Sequence, residues 1–270
     1  MLYAEVEGHG PRLVLVHGFT QTRRSWGKVA VDLRRDHEVV RVDAPGHGRS
    51  GSLALDMVEG AEALAAVGGP ATYLGYSMGA RLCLHLALSR PSLVSALVLV
   101  SGTPGIRADE DRAARRREDE ALAAELEEVG VAEFLRRWLA KPLFAGLSAA
   151  EAGMEARREN AVPGLAASLR RAGTGAQEPL WARLPRLAMP VLAVAGARDD
   201  AFARQAEAIA RAVGANAEVA LVPGAGHAAH LEAPDAFLAL VRPFLARALA
   251  EKPAVSSGGQ RSFSGDHRSP

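Results

Sequence analysis

Short apolar runs alternate along the chain with stretches whose apolar residues recur at helical spacing, and this alternation predicts a mostly parallel sheet covered by helices. The strand candidates are residues 12–17, 38–42, 71–74, 96–100, 190–195 and 218–222. They are rich in Val and Leu, as strands buried on both faces should be. Residues 3–6 can add an antiparallel edge strand, and helices are expected over 78–89, 204–213 and 234–250.

The alternation stops between Pro104 and Leu187. That stretch is charged, Ala-rich and helical in pattern, with Leu122, Leu126 and Val129 on one face and Phe134, Leu135 and Trp138 on another. Pro142, Pro163, Gly164, Gly173 and Gly175 break it into pieces. A helical block inserted between two strands predicts a cap over the C-terminal edge of the sheet, where open α/β folds bind ligands. The expected organisation is therefore core over 1–103, cap over 104–186, core again over 187–250, and a Ser/Gly-rich tail over 251–270 with too little apolar content to order.

Composition narrows the function. With 270 residues, 49% of them hydrophobic, the chain can bury one large core and carry an inserted subdomain. A net charge of +1 gives no field that would favour nucleic acid or an anionic membrane. No basic stripe is interleaved with aromatics, which argues against binding of RNA or single-stranded DNA. Cys83 is the only cysteine and falls in an apolar helical run, so it is read as a buried structural thiol. Glu5 and Glu7 interrupt any leader-like apolar stretch at the start, and no segment has the length and apolarity of a membrane span. The cytoplasm is the expected location. No spacing of His, Cys, Asp and Glu suggests a metal site, and no Gly-rich phosphate loop or other cofactor motif is present. The oligomeric state has no signature in the sequence.

The chemistry is carried by a few short motifs. Gly75-Tyr76-Ser77-Met78-Gly79 matches the G-x-S-x-G nucleophile elbow. A serine on a tight strand-to-helix turn projects its hydroxyl clear of the backbone, and the flanking glycines keep side chains from colliding across the turn. The context raises the motif above chance, because an apolar strand enters it and a helix leaves it. His17-Gly18-Phe19 follows another strand. In the α/β-hydrolase fold that loop gives one backbone N–H to an oxyanion hole and the residue after the nucleophile gives the other, here Phe19 and Met78. The acid and base should follow in the order Ser, Asp or Glu, His. Gly196-Ala197-Arg198-Asp199-Asp200 and Pro223-Gly224-Ala225-Gly226-His227 each come just past a strand. Asp199 is preferred over Asp200 because it is closer to the strand end, with Asp200 left to solvent or to capping the next helix. His227 is preferred over His230 for the glycine turn before it. The Asp43-to-Ser50 stretch reads as a structural turn.

The chain resembles the 2-succinyl-6-hydroxy-2,4-cyclohexadiene-1-carboxylate (SHCHC) synthases of menaquinone biosynthesis from about Leu13 to about Phe244. The motifs above carry part of the resemblance. More specific are Arg81 four residues after the serine, Arg112 with Arg115-Arg116-Arg117, and Trp138-Leu139-Ala140-Lys141-Pro142-Leu143-Phe144. The resemblance implies an α/β-hydrolase fold with an inserted helical cap. It also implies a lyase that eliminates pyruvate from an enolpyruvyl cyclohexene bearing several carboxylates, without a cofactor. Tyr76, Arg81, Arg115, Trp138 and Arg158 are then expected to line the pocket, with Arg157 adjacent to Arg158 as its rival. Arginine suits a polycarboxylate because its planar fork donates two hydrogen bonds to one carboxylate. Against this stand a solvated, self-paired helix for 112–117, a hydrolase of esters or carbon–carbon bonds on the same fold, and a non-enzymatic ligand receptor, which would have less need of all three triad groups.

Overall fold

A computed structural model describes residues 1–250; the tail expected over 251–270 falls outside the described residues. Seven strands form one sheet: β1 (Ala4–Gly8), β2 (Arg12–Val16), β3 (Glu38–Val42), β4 (Ala71–Tyr76), β5 (Val94–Val100), β6 (Val191–Gly196) and β7 (Ala217–Val222). Their order is β1-β3-β2-β4-β5-β6-β7, with β1 antiparallel on β3 and every other neighbour pair parallel. β4 and β6 are buried along their whole length, which explains why they read as unbroken apolar runs.

Alternation along each strand divides the interior into two cores. Val14 and Val16 of β2 face one side, against α2 (Met57–Gly68), α3 (Met78–Ser89) and α7 (Asp200–Val213). Leu13 and Leu15 face the other, against α1 (Gly27–Leu33) and α9 (Pro234–Ala250). This is an α/β-hydrolase arrangement, as the alternation and motifs predict. Three helices lie where none was anticipated, α1, α2 and the four-residue α8 (Ala229–Glu232). The second carries a local signal: Asp56 accepts from the Val58 and Glu59 N–H groups while Glu59 accepts from the Asp56 N–H. β4 runs two residues further than expected because its pairing with β5 continues to Tyr76 opposite Val100.

Between β5 and β6 the chain leaves the sheet and forms α4 (Asp109–Leu139), α5 (Met154–Arg157) and α6 (Val162–Ala172). α4 is broken at Gly130, whose φ of 75° only glycine adopts readily. The break lets both halves turn apolar faces inward, so that Leu126 and Phe134 share a small core with Leu165 and Leu169 of α6. Their outer faces carry ion pairs such as Arg170 with Glu120 and Glu127. Exposed pairs of this kind contribute little to stability. Among the described residues no helix is long and apolar enough to cross a membrane. The short α8 (Ala229–Glu232) precedes α9.

Candidate active site

Parallel strands deliver their C-terminal ends to one edge, and the site is built there from four of those ends. Ser77 sits between β4 and α3 at φ 52°, ψ −108°, a strained turn for a side chain. The turn exists only because its neighbours are glycine. A Cβ on Gly79 would lie 2.1 Å from the Val16 carbonyl oxygen, and one on Gly75 would lie 2.3 Å from the Gly79 carbonyl oxygen. The Ser77 N–H is tied to the Val100 carbonyl at 2.8 Å, which leaves the hydroxyl projecting.

Its Oγ lies 3.4 Å from Nε2 of His227, and Nδ1 of the same ring lies 3.0 Å from Oδ2 of Asp199. The Nδ1–H donates to the carboxylate, which leaves Nε2 free to accept from the serine. Burial works to raise the Asp199 pKa, but hydrogen bonds from His227 and from the Phe202 and Ala201 N–H groups hold it below the usual carboxylate value. Asp199 is also the N-cap of α7, its Oδ1 accepting from Phe202 N at 3.2 Å. Capping was one of the uses expected of Asp200; the carboxylate beside His227 performs it, and Asp200 is exposed as the first residue of the helix. His230 is buried with its ring against Tyr76 and Trp26, at 4.4 Å and 4.6 Å, and takes no part in the Ser77–His227–Asp199 chain.

The loop bearing His227 is held by groups that no local motif announces. Ser101 Oγ donates to the His227 carbonyl at 2.8 Å. The Glu232 carboxylate accepts from Gly226 N at 2.6 Å and Ala228 N at 3.0 Å.

A similar accounting defines the loop after β2. Gly18 N donates to Gln21 Oε1, Gln21 N to the Gly18 carbonyl, and Thr20 N to Nε2 of His47. The N–H groups of Phe19 and Met78 have no protein acceptor among the described residues. Two neutral histidines fix this frame. His17 donates from Nδ1 to the Gly18 carbonyl and accepts at Nε2 from Ala44 N. His47 donates from Nδ1 to the Pro45 carbonyl. Burial pushes their pKa values down to about 4 and about 3, so both rings are uncharged at neutral pH. The stretch from Asp43 to Ser50 is thus a turn whose groups lock the loop after β2.

Ser77, His227, Phe19 and Met78 open onto a cavity of ≈ 190 Å³ that Tyr76, Arg81, Arg115, Trp138 and Arg157 also line. Arg81 is 6% exposed and Arg157 only 2%. Arg81 Nη1 donates to Gln177 Oε1 at 3.1 Å. Arg157 donates from Nε to the Ala152 carbonyl and from Nη1 to Thr20 Oγ1. Neither has a carboxylate partner among the described residues. Burial lowers both pKa values to about 10, with the nearby Arg115 guanidinium pressing Arg81 the same way, and both remain cations. Arg115 is different: its Nε donates to the buried Asp119 at 2.8 Å.

Arg158 does not enter the cavity. It is exposed, and the residue that turns inward is Arg157. α5 starts after Gly153 at φ 59° and is four residues long, so its phase is set by that turn. One residue along a helix is a rotation of about 100°, which carries the neighbouring side chain out to solvent. Of the remaining cluster, Arg112 pairs with Asp109 at 3.0 Å, while Arg116 and Arg117 line a separate surface groove.

Residues 13–240 match the alpha/beta hydrolase family. A 2-succinyl-6-hydroxy-2,4-cyclohexadiene-1-carboxylate synthase from Serratia proteamaculans is 30% identical, the match covering 88% of this chain and 94% of that one. One from an Enterobacter species is 32% identical over 87% and 92%. The solved structure of MenH from S. aureus superposes with a TM-score of 0.85 at 28% identity, covering 92% of this chain and 100% of the other.

Proposed function

Because the chain belongs to the alpha/beta hydrolase family and, within it, to the SHCHC synthases, we propose that it eliminates pyruvate from 2-succinyl-5-enolpyruvyl-6-hydroxy-3-cyclohexene-1-carboxylate to give 2-succinyl-6-hydroxy-2,4-cyclohexadiene-1-carboxylate, a step of menaquinone biosynthesis. The observation that carries this reading is the pair of buried, carboxylate-free guanidiniums of Arg81 and Arg157 on the same cavity as Ser77. An uncompensated buried cation is costly to the folded protein. A neutral ester would give no return on that cost, whereas a polycarboxylate supplies the missing partners.

In this mechanism Asp199 holds the His227 tautomer, and His227 raises the basicity of the Ser77 hydroxyl. His227 Nε2 takes the Ser77 hydroxyl proton as Ser77 Oγ removes the ring proton beside the succinyl ketone, which leaves the serine neutral and the imidazole protonated. The charge moves onto the ketone oxygen, where the Phe19 and Met78 N–H groups receive it. The electrons return through the ring alkene and break the bond to the enolpyruvyl oxygen. The leaving group departs as the enolate of pyruvate, which takes the proton held on His227 to become pyruvate and so restores the neutral ring. No acyl group is transferred, so Ser77 forms no covalent intermediate. Arg81, Arg115 and Arg157 orient the carboxylates, Tyr76 and Trp138 shape the cavity, and residues 104–186 serve as its cap. The single cysteine and a small polar substrate fit a cytoplasmic enzyme.

The test is product analysis with the enolpyruvyl substrate. Wild-type protein should release pyruvate with no acyl adduct on Ser77 by mass spectrometry. Ser77→Ala should lose most turnover while still binding substrate. Hydrolysis of simple esters without pyruvate release would establish the hydrolase reading instead.

A further inference from the structure

Arg81 is placed by an amide. Gln177 lies 96 residues away in sequence, in the last part of the inserted segment, and its Oε1 accepts from Arg81 Nη1 at 3.1 Å. It is itself 2% exposed, and its Nε2 has no partner among the described residues. The backbone around Gln177 is tied to the opposite end of the same segment. Leu180 N donates to the Pro104 carbonyl at 2.7 Å, and Trp181 Nε1 donates to the Gly105 carbonyl at 2.9 Å. Gly105, at φ 108°, leaves room for the amide; a Cβ there would stand 3.1 Å from Gln177 Nε2.

A buried guanidinium is ordinarily held by a carboxylate. A glutamate at 177 would have the same shape as Gln177 and would form that pair. An amide does something a carboxylate cannot: it fixes the direction of the fork while leaving the whole positive charge to the cavity. Nearby Arg115 already has Asp119, so Arg81 would be the second cation cancelled if its partner were acidic. We infer that Gln177 is the positioning residue for Arg81, and that its neutrality sets the preference of this cavity for substrates with several carboxylates. The inference rests on the lyase reading for the identity of the substrate, but not for the sign of the charge it must carry.

The experiment compares wild type with Gln177→Glu and Gln177→Leu, and it has two readouts. The first is pyruvate release. Gln177→Glu should raise KM at least about tenfold, the equivalent of one charged hydrogen bond, with kcat little changed, because a contact common to ground and transition states is lost. Its Tm should equal or exceed that of wild type, since Arg81 gains a counter-ion. A role confined to structure predicts the reverse, a changed Tm with KM unmoved. The second readout is the rise in Tm produced by citrate, a polycarboxylate probe that needs no turnover. It should be clearly smaller in Gln177→Glu than in wild type. Should Gln177→Glu not fold, Gln177→Leu decides, because freeing Arg81 from its acceptor should also raise KM and reduce citrate protection. Equal citrate protection in wild type and the folded variant, including none in either, overturns the inference. So does a KM within about twofold of wild type. Absence of pyruvate release by wild type would instead refute the lyase reading and leave the citrate comparison to judge Gln177.

Discussion

Replacing Arg157 by Ala should separate binding from stability. Its guanidinium is 2% exposed, holds Thr20 Oγ1 and the Ala152 carbonyl, and has no acidic partner among the described residues. Truncation leaves two acceptors short of a donor, at a cost of roughly 1–3 kcal/mol each if both stay dry. It also removes a buried, uncompensated cation, a relief of several kcal/mol. The two terms oppose each other, so the net should stay within about 1 kcal/mol, or roughly 2–4 °C in Tm for a domain of this size. Catalysis has no such compensation. One lost charged hydrogen bond to a substrate carboxylate costs roughly 1.5–3 kcal/mol, or about 10- to 150-fold in kcat/KM. Arg157→Lys should recover only part, lacking the planar fork. The assay is continuous detection of released pyruvate beside a thermal melt, with Arg158→Ala as the control on the solvent side. If Arg158→Ala cost as much as Arg157→Ala, or if Arg157→Ala lowered Tm and kcat/KM in proportion, the reasoning would be refuted.

Acid lability is expected from buried histidines. Burial holds His17, His47, His85 and His230 at about 4, 3, 4 and 3, against an ordinary 6.5. The unfolded chain protonates these rings as pH falls through 6.5 while the folded chain does not. Their contribution is therefore complete above 6.5 and is lost as pH falls from 6.5 to about 4 for His17 and His85 and to about 3 for His47 and His230, at up to about 1.4 kcal/mol per pH unit for each ring. Urea midpoints at pH 7.5 and 5 should differ clearly, and equal midpoints would count against neutral buried rings. Gly79→Ala should destabilise by roughly 3 kcal/mol or more, because its Cβ would meet the Val16 carbonyl oxygen at 2.1 Å. Helix propensity alone predicts the opposite sign, a gain of about 1 kcal/mol, so a melt decides between them.

Much of this arrangement is legible in the sequence, and for a definite reason. Parallel strands buried on both faces spell near-continuous apolar runs, and the motifs follow those runs directly. Ser77, Asp199 and His227 come past the ends of β4, β6 and β7, and one sheet edge collects all three. What escapes is whatever depends on phase or on long-range partners. α5 is too short to have a periodicity, so Arg157 and Arg158 could not be told apart until Gly153 set the turn. Gln177, Ser101 and Glu232 act through single hydrogen bonds to backbone or to Arg81, and such bonds leave no spacing rule behind. α2 is the exception, since the spacing of Asp56 and Glu59 writes its capping box into the sequence.

Asp199 closes two circuits with one carboxylate, since Oδ2 accepts a hydrogen bond from the imidazole Nδ1–H and Oδ1 accepts one from the Phe202 N–H in the first turn of α7. The aim of the imidazole is thereby borrowed from a helix of 14 residues rather than from the loop that carries the acid. A helix is a stiff beam where a loop is a hinge, so the His227 ring inherits the rigidity of the framework. The same link ties His227 to α7: the first turn of that helix cannot fray without slackening the grip on the imidazole, even while the sheet stands intact.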